Sequence, residues 1–115
     1  MGWPPKVGET LPRSAECRYE QEKLDDWVLA DRGHGREWSR VFHIGPEDSG
    51  LLWVAIAAAS VEASIATVRD RGEDGVVCGV KIELTIEGRT TPVTVSWHYE
   101  REGSAPRLVT AYPTL

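Results

Sequence analysis

Residues 78–100 read CGVKIELTIEGRTTPVTVSWHYE. Cys78, Val80, Ile82, Leu84 and Ile86 alternate with Gly79, Lys81, Glu83, Thr85 and Glu87. A period of two places the two sets on opposite faces of a β-strand. EGRT at 87–90 reads as a hairpin turn. On the return, Val93, Val95, Trp97 and Tyr99 alternate with Thr94, Ser96, His98 and Glu100. The stretch predicts an antiparallel pair with one apolar and one polar face, which suits a sheet covered on one side. Downstream, REGSAP (101–106) is a connection and RLVTAYP (107–113) a third strand. With Val109 and Ala111 toward the core, Leu108, Thr110 and Tyr112 share the open face with His98.

Upstream the period changes. Leu51, Val54, Ala58, Val61, Ile65 and Val68 recur at alternating spacings of three and four, one face of an α-helix. This predicts one long helix over about 48–71 with that stripe toward the sheet. AIAAAS (55–60) supplies strong helix formers. Arg69 and Arg71 would suit the negative end of the helix dipole, and Gly72 would stop it. WSRVFHIG (38–45) predicts a shorter helix. Leu24, Trp27, Val28 and Ala30 predict another, ending at Gly33. Helices first and an antiparallel β-meander of three to four strands last make an α+β fold. A single domain, 1–115, is expected, with an extended lead-in over 1–13, a helical part over 14–72 and the sheet over 76–113.

A length of 115 residues with 41% hydrophobic and 27% charged residues is ordinary for one small globular domain. Nothing approaches the run of about 18 apolar residues that a membrane helix needs, so no membrane partner is expected. MGWPPKVGETLP, at the start, lacks the apolar centre of a signal peptide. A cytoplasmic site of action is expected, also where the chain is the C-terminal part of a secreted protein. The net charge of −5 argues against a broad basic face for nucleic acid and favours a basic partner. An enzyme with a small basic cleft remains compatible with it. Cys17 and Cys78 form no CxxC pair, and His34, His43 and His98 form no HxH or HExxH pair. Neither a metal nor a cofactor is expected.

Two places carry candidate chemistry. One is the open face of the last strands, where His98 and Thr110 converge with Arg107 and Tyr112 nearby. An imidazole moves protons, a guanidinium holds a phosphate in a bidentate fork, and a hydroxyl donates to a developing oxyanion. RNA brings its own nucleophile, the 2′-OH. The other is DRGHGREW (31–38), where glycines bracket His34 and Arg36 follows. Each residue also has an ordinary reading: solvated sheet faces are commonly Thr, Ser, Lys and Glu.

LPRSAECRYEQEKLDDWVLA (11–30), GREWSRVF (35–42) and PRLVTAYP (106–113), in this order, resemble a bacterial family of small domains. That family is found at the C-termini of polymorphic-toxin or phage-associated proteins. It is similar to the barnase–EndoU–colicin–RelE group of ribonucleases. The resemblance implies helices followed by an antiparallel sheet, and RNA cleavage without metal through a 2′,3′-cyclic phosphate. By the same resemblance Thr110 is the late-strand hydroxyl, Arg107 and Tyr112 flank it, and Gly35 and Arg36 open the GR segment. Trp38 stands where the family pattern has Lys, so that Arg40 substitutes for it or the charge is lost.

The expected function is therefore a metal-independent ribonuclease-like toxin domain. His34 or His98 would exchange the proton, Arg36, Arg40 and Arg107 would hold phosphate, and Thr110 would stabilise charge. RNA and a cognate immunity or inhibitor protein are the expected partners. The alternative is a non-catalytic acidic binding module that masks a basic partner.

Overall fold

The computed structural model describes residues 3–19 and 35–114. The helix expected up to Gly33 lies outside them. Among the described residues two helices, α1 (Gly35–Phe42) and α2 (Ser49–Val61), precede four strands. These are β1 (Ile65–Asp70), β2 (Val76–Ile86), β3 (Arg89–Tyr99) and β4 (Arg107–Pro113). They form one antiparallel sheet in the order β1-β2-β3-β4, so the α+β class holds, with helix before sheet.

The central hairpin follows the alternation residue by residue. β2 and β3 pair without interruption from Val76↔Tyr99 to Ile86↔Arg89. The turn is Glu87-Gly88, with φ of 50° and 81°. Positive φ at both central positions is what a type I′ turn requires, and its twist matches that of the strands. Cys78, Val80, Ile82, Leu84, Ile86, Val93, Val95, Trp97 and Tyr99 are buried, while Lys81, Glu83 and Thr85 are exposed. Trp38 and Phe42 of α1, and Leu52 and Ile56 of α2, join the same apolar cluster. The Trp38 and Phe42 rings stack at 5.5 Å. The Trp38 indole N–H donates to the Ala111 carbonyl at 3.1 Å, which ties α1 to β4.

The long helix expected over 48–71 is instead a helix and a strand. α2 stops at Val61, and the chain is extended from Ile65. Ile65, Thr67 and Val68 are β-branched, which favours a strand. Ile65 also gains hydrogen bonds that a helix cannot offer it. Its N–H donates to the Glu9 carbonyl at 2.7 Å, and its carbonyl accepts from the Gly8 N–H at 2.9 Å. On the other side it pairs with Val80. Arg69 and Arg71 therefore sit on and just after a sheet edge.

The buried face of α2 also differs from the expected one. Leu52, Ile56 and Ser60 face the core, and Leu51, Val54 and Val61 face solvent. α2 is apolar all round, so periodicity gives no preference between its faces.

β4 carries the third correction. Ser96 pairs with Thr110 and Trp97 with Leu108, leaving Val109 as an extra residue on one strand. This bulge shifts the alternation by one position. Leu108 (1% exposed) and Ala111 (0%) both enter the core, so Leu108 leaves the open face.

The lead-in acts as a strap across the core side. It pairs with the β1 edge at Gly8 and Glu9, and then buries Leu11. The Tyr99 hydroxyl donates to the Pro12 carbonyl at 2.7 Å. After a short 3-10 turn, Ser14–Glu16, Arg18 reaches the far edge. There its N–H donates to the Pro106 carbonyl at 3.0 Å, and its carbonyl accepts from the Leu108 N–H at 2.9 Å. Tyr19 then packs on Trp53 with ring centroids 4.4 Å apart. Among the described residues no helix is long and apolar enough to cross a membrane.

Candidate functional site

The face of the sheet away from the helices is arranged in three rows. Arg69, Val77, His98 and Arg107 lie across the four strands. Thr67, Gly79, Ser96 and Thr110 form the next row, and Lys81, Thr94 and Tyr112 the third. The middle row is thus a line of hydroxyls interrupted by a glycine. A Cβ at Gly79 would lie 2.3 Å from Thr67 Oγ1, so the Thr67 hydroxyl occupies the space that a side chain there would need. A shallow depression of about 450 Å³ opens beside it, lined by Thr67, Val68, Arg69, Val77 and Ser96.

Charge on this face runs against that of the whole chain. Arg69, Lys81 and Arg107 share it, and within the described strands Glu83, at its end, is the acid alternating onto it. A protein of net charge −5 thus places three cationic side chains on this face.

His98 is held by the β1–β2 connection. Its Nε2 lies 2.6 Å from the Asp74 carbonyl oxygen. A carbonyl only accepts, so Nε2 carries the proton in the neutral ring and Nδ1 keeps its lone pair. Gly75 makes this approach possible. It has φ of 92°, and a Cβ there would lie 2.2 Å from the Tyr99 carbonyl and 2.8 Å from His98 Nε2. Nδ1 of His98 and Oγ1 of Thr110 are both shielded from solvent and have no hydrogen-bond partner among the described residues. Such atoms are uncommon in folded proteins and invite a functional explanation. His98 stands opposite Arg107 and Thr110 opposite Ser96. His98 and Thr110 are therefore diagonal neighbours across the Val109 bulge.

The structure thus brings His98, Thr110, Arg107 and Tyr112 onto one face. It does not bring Arg36 and Arg40 there. Those two are exposed on α1 and line a separate depression with Glu37. α1 rests on the core side of β3 and β4, so both arginines belong to the helical layer. Trp38 is a core residue at 0% exposure. It anchors α1 to the sheet. His34 lies outside the described residues.

Sequence reasoning missed Arg69, Thr67, Gly75, Gly79 and Asp74. Arg69 and Thr67 were hidden by the helical reading of 62–71. The glycines matter only through neighbours that pairing supplies. Among the described residues no group of three or more His, Cys, Asp and Glu side chains gathers as a metal site. Cys17 and Cys78 are free thiols.

Fold and face together define an α+β protein with helices on one side of a four-stranded antiparallel sheet and, on the other, a largely polar surface that carries Arg69, Lys81 and Arg107. No protein-family model, no curated protein and no solved structure matches the chain.

Proposed function

We propose that the open sheet face binds RNA through its phosphates and cleaves it as a metal-independent, ribonuclease-like toxin domain. The observation that carries this reading is the pair of unpartnered polar atoms, His98 Nδ1 and Thr110 Oγ1, on a face shared with Arg69, Lys81 and Arg107. In the reaction His98 Nδ1 takes the proton of a 2′-OH. The 2′-oxygen bonds to the adjacent phosphorus, the bond from phosphorus to the 5′-oxygen breaks, and that oxygen takes a proton from solvent. The products are a 2′,3′-cyclic phosphate and a 5′-hydroxyl. Thr110 donates to a non-bridging oxygen as charge builds on it. Arg69 and Arg107 hold the phosphates, and Tyr112 borders the site. Arg36 and Arg40 have no part in it. Because both polar atoms are shielded, side chains above them must move when RNA docks.

The same shielding supports a second reading, in which the protein is a non-catalytic acidic module that binds a basic partner. Incubation of RNA with purified protein in EDTA separates the two. The expected result is cleavage with cyclic-phosphate ends, lost by a factor of roughly 10²–10⁴ in His98→Ala. Thr110→Val also lowers it, while stability holds or rises because a buried unpaired hydroxyl is removed. Arg36→Ala/Arg40→Ala leaves cleavage unchanged. Intact RNA at high protein concentration would sink the catalytic reading.

A further inference from the structure

α2 carries no charged side chain from Ser49 to Val61. It buries Leu52, Ile56 and Ser60 on one side. On the opposite side Leu51, Val54 and Val61 are 48%, 66% and 41% exposed. Ala58, between Val54 and Val61, is exposed as well. A helix that is apolar all round is ordinarily enclosed on every side. The exposed residues are spaced three, four and three apart, the a/d spacing of a helix–helix seam. Ala58 near the middle allows a second backbone to come close.

The charges around the stripe indicate what covers it. Glu47 and Asp48 precede the helix and Glu62 follows it. Glu47 and Glu62 are exposed. An apolar seam with acid at both ends fits an apolar seam with base at both ends. A second copy of this chain fits poorly. Antiparallel pairing sets Glu47 and Asp48 against the other copy's Glu62, and parallel pairing sets each acid against itself. Both copies also carry −5.

We propose that the outward face of α2 is a docking surface for an amphipathic helix of another protein, with an a/d apolar stripe flanked by Lys or Arg at both ends. The surface is separate from the sheet face and does not depend on what that face does. α2 spans about 20 Å, roughly two heptads, so contact along the stripe and attraction at its ends both contribute.

The test uses a labelled helical peptide of about three heptads with Leu and Val at a and d and Lys at both ends. The control has the same apolar stripe and Glu ends. Fluorescence anisotropy is expected to show the Lys-ended peptide binding at least tenfold more tightly, with the advantage shrinking as salt rises. Leu51→Gln/Val54→Gln is expected to weaken it at least tenfold while the urea midpoint holds. Glu47→Lys/Glu62→Lys alters exposed positions and is expected to reverse the preference toward the Glu-ended peptide, whatever the behaviour of the first variant. Equal binding of the two peptides, no binding, or an unreversed preference overturns the proposal. So does sedimentation showing that the free protein dimerises through this face.

Discussion

Tyr99 is one side chain that joins three parts of the molecule. Its ring is buried in the core, Trp3 meets it edge-on at 6.0 Å, and its hydroxyl donates to Pro12. Burial pushes its phenol well above the ordinary value, helped by the neighbouring thiols of Cys78 and Cys17. Burial likewise raises the Cys78 thiol from 9.0 to about 11. Both groups keep protons in the folded state that the unfolded chain gives up, so the native state binds more protons above about pH 9. Stability is therefore present in full below that pH and falls as pH rises toward 11 and beyond. Urea midpoints between pH 7 and 11 should show this decline. Tyr99→Phe should start lower, by about 1 kcal/mol for the lost hydrogen bond to Pro12, and then fall less steeply. A wild-type profile flat to pH 11 contradicts the assignment. That Tyr99 belongs to the core was legible from its place in the alternation. That its hydroxyl holds the lead-in was not, because eighty-odd residues separate it from Pro12.

Among the elements, the hairpin was the most legible and α2 the least. β2 and β3 each have one buried face and one less buried face, so burial and sequence period agree. The turn between them has one imperfect position. Glu87 is held at φ 50°, where a side chain with a Cβ is disfavoured and Asn is tolerated best. Glu87→Asn should raise stability by about 0.5–1 kcal/mol, seen as a higher thermal midpoint, and an unchanged midpoint would show that the turn is not strained. α2 and β1 misled because Ile65 and Val68 continue the helical spacing by coincidence. Helical spacing and strand spacing overlap in a short apolar run, and the outcome turns on which hydrogen bonds are available. Here Glu9 and Gly8 on one side and Val80 on the other provide them. The bulge at Val109 had no local signal. It moved Leu108 into the core yet left Thr110 facing Ser96.

The molecule as a whole depends on its strap. The segment from Gly8 to Arg18 touches both edges of the sheet, and Leu11 is its buried anchor at 3% exposure. Leu11→Ala should lower the unfolding free energy by roughly 2–5 kcal/mol, measured by urea titration. A loss below about 1 kcal/mol would make the strap surface dressing. The site has the same origin. Periodicity alone put His98 and Thr110 on a common face, because a strand sends alternate side chains to opposite sides whatever surrounds it. It likewise determined the antiparallel hairpin, the apolar core of β2 and β3, and the α+β class. Tertiary structure alone decided that residues 65–70 are a strand, so that Arg69 and Thr67 join the face while Arg36 and Arg40 lie in the other layer. It alone chose the buried side of α2. The physical reason is common to these cases. Local pattern governs where a side chain points along its own element, whereas distant backbone groups decide which element a marginal segment becomes and which of two equally apolar faces is covered.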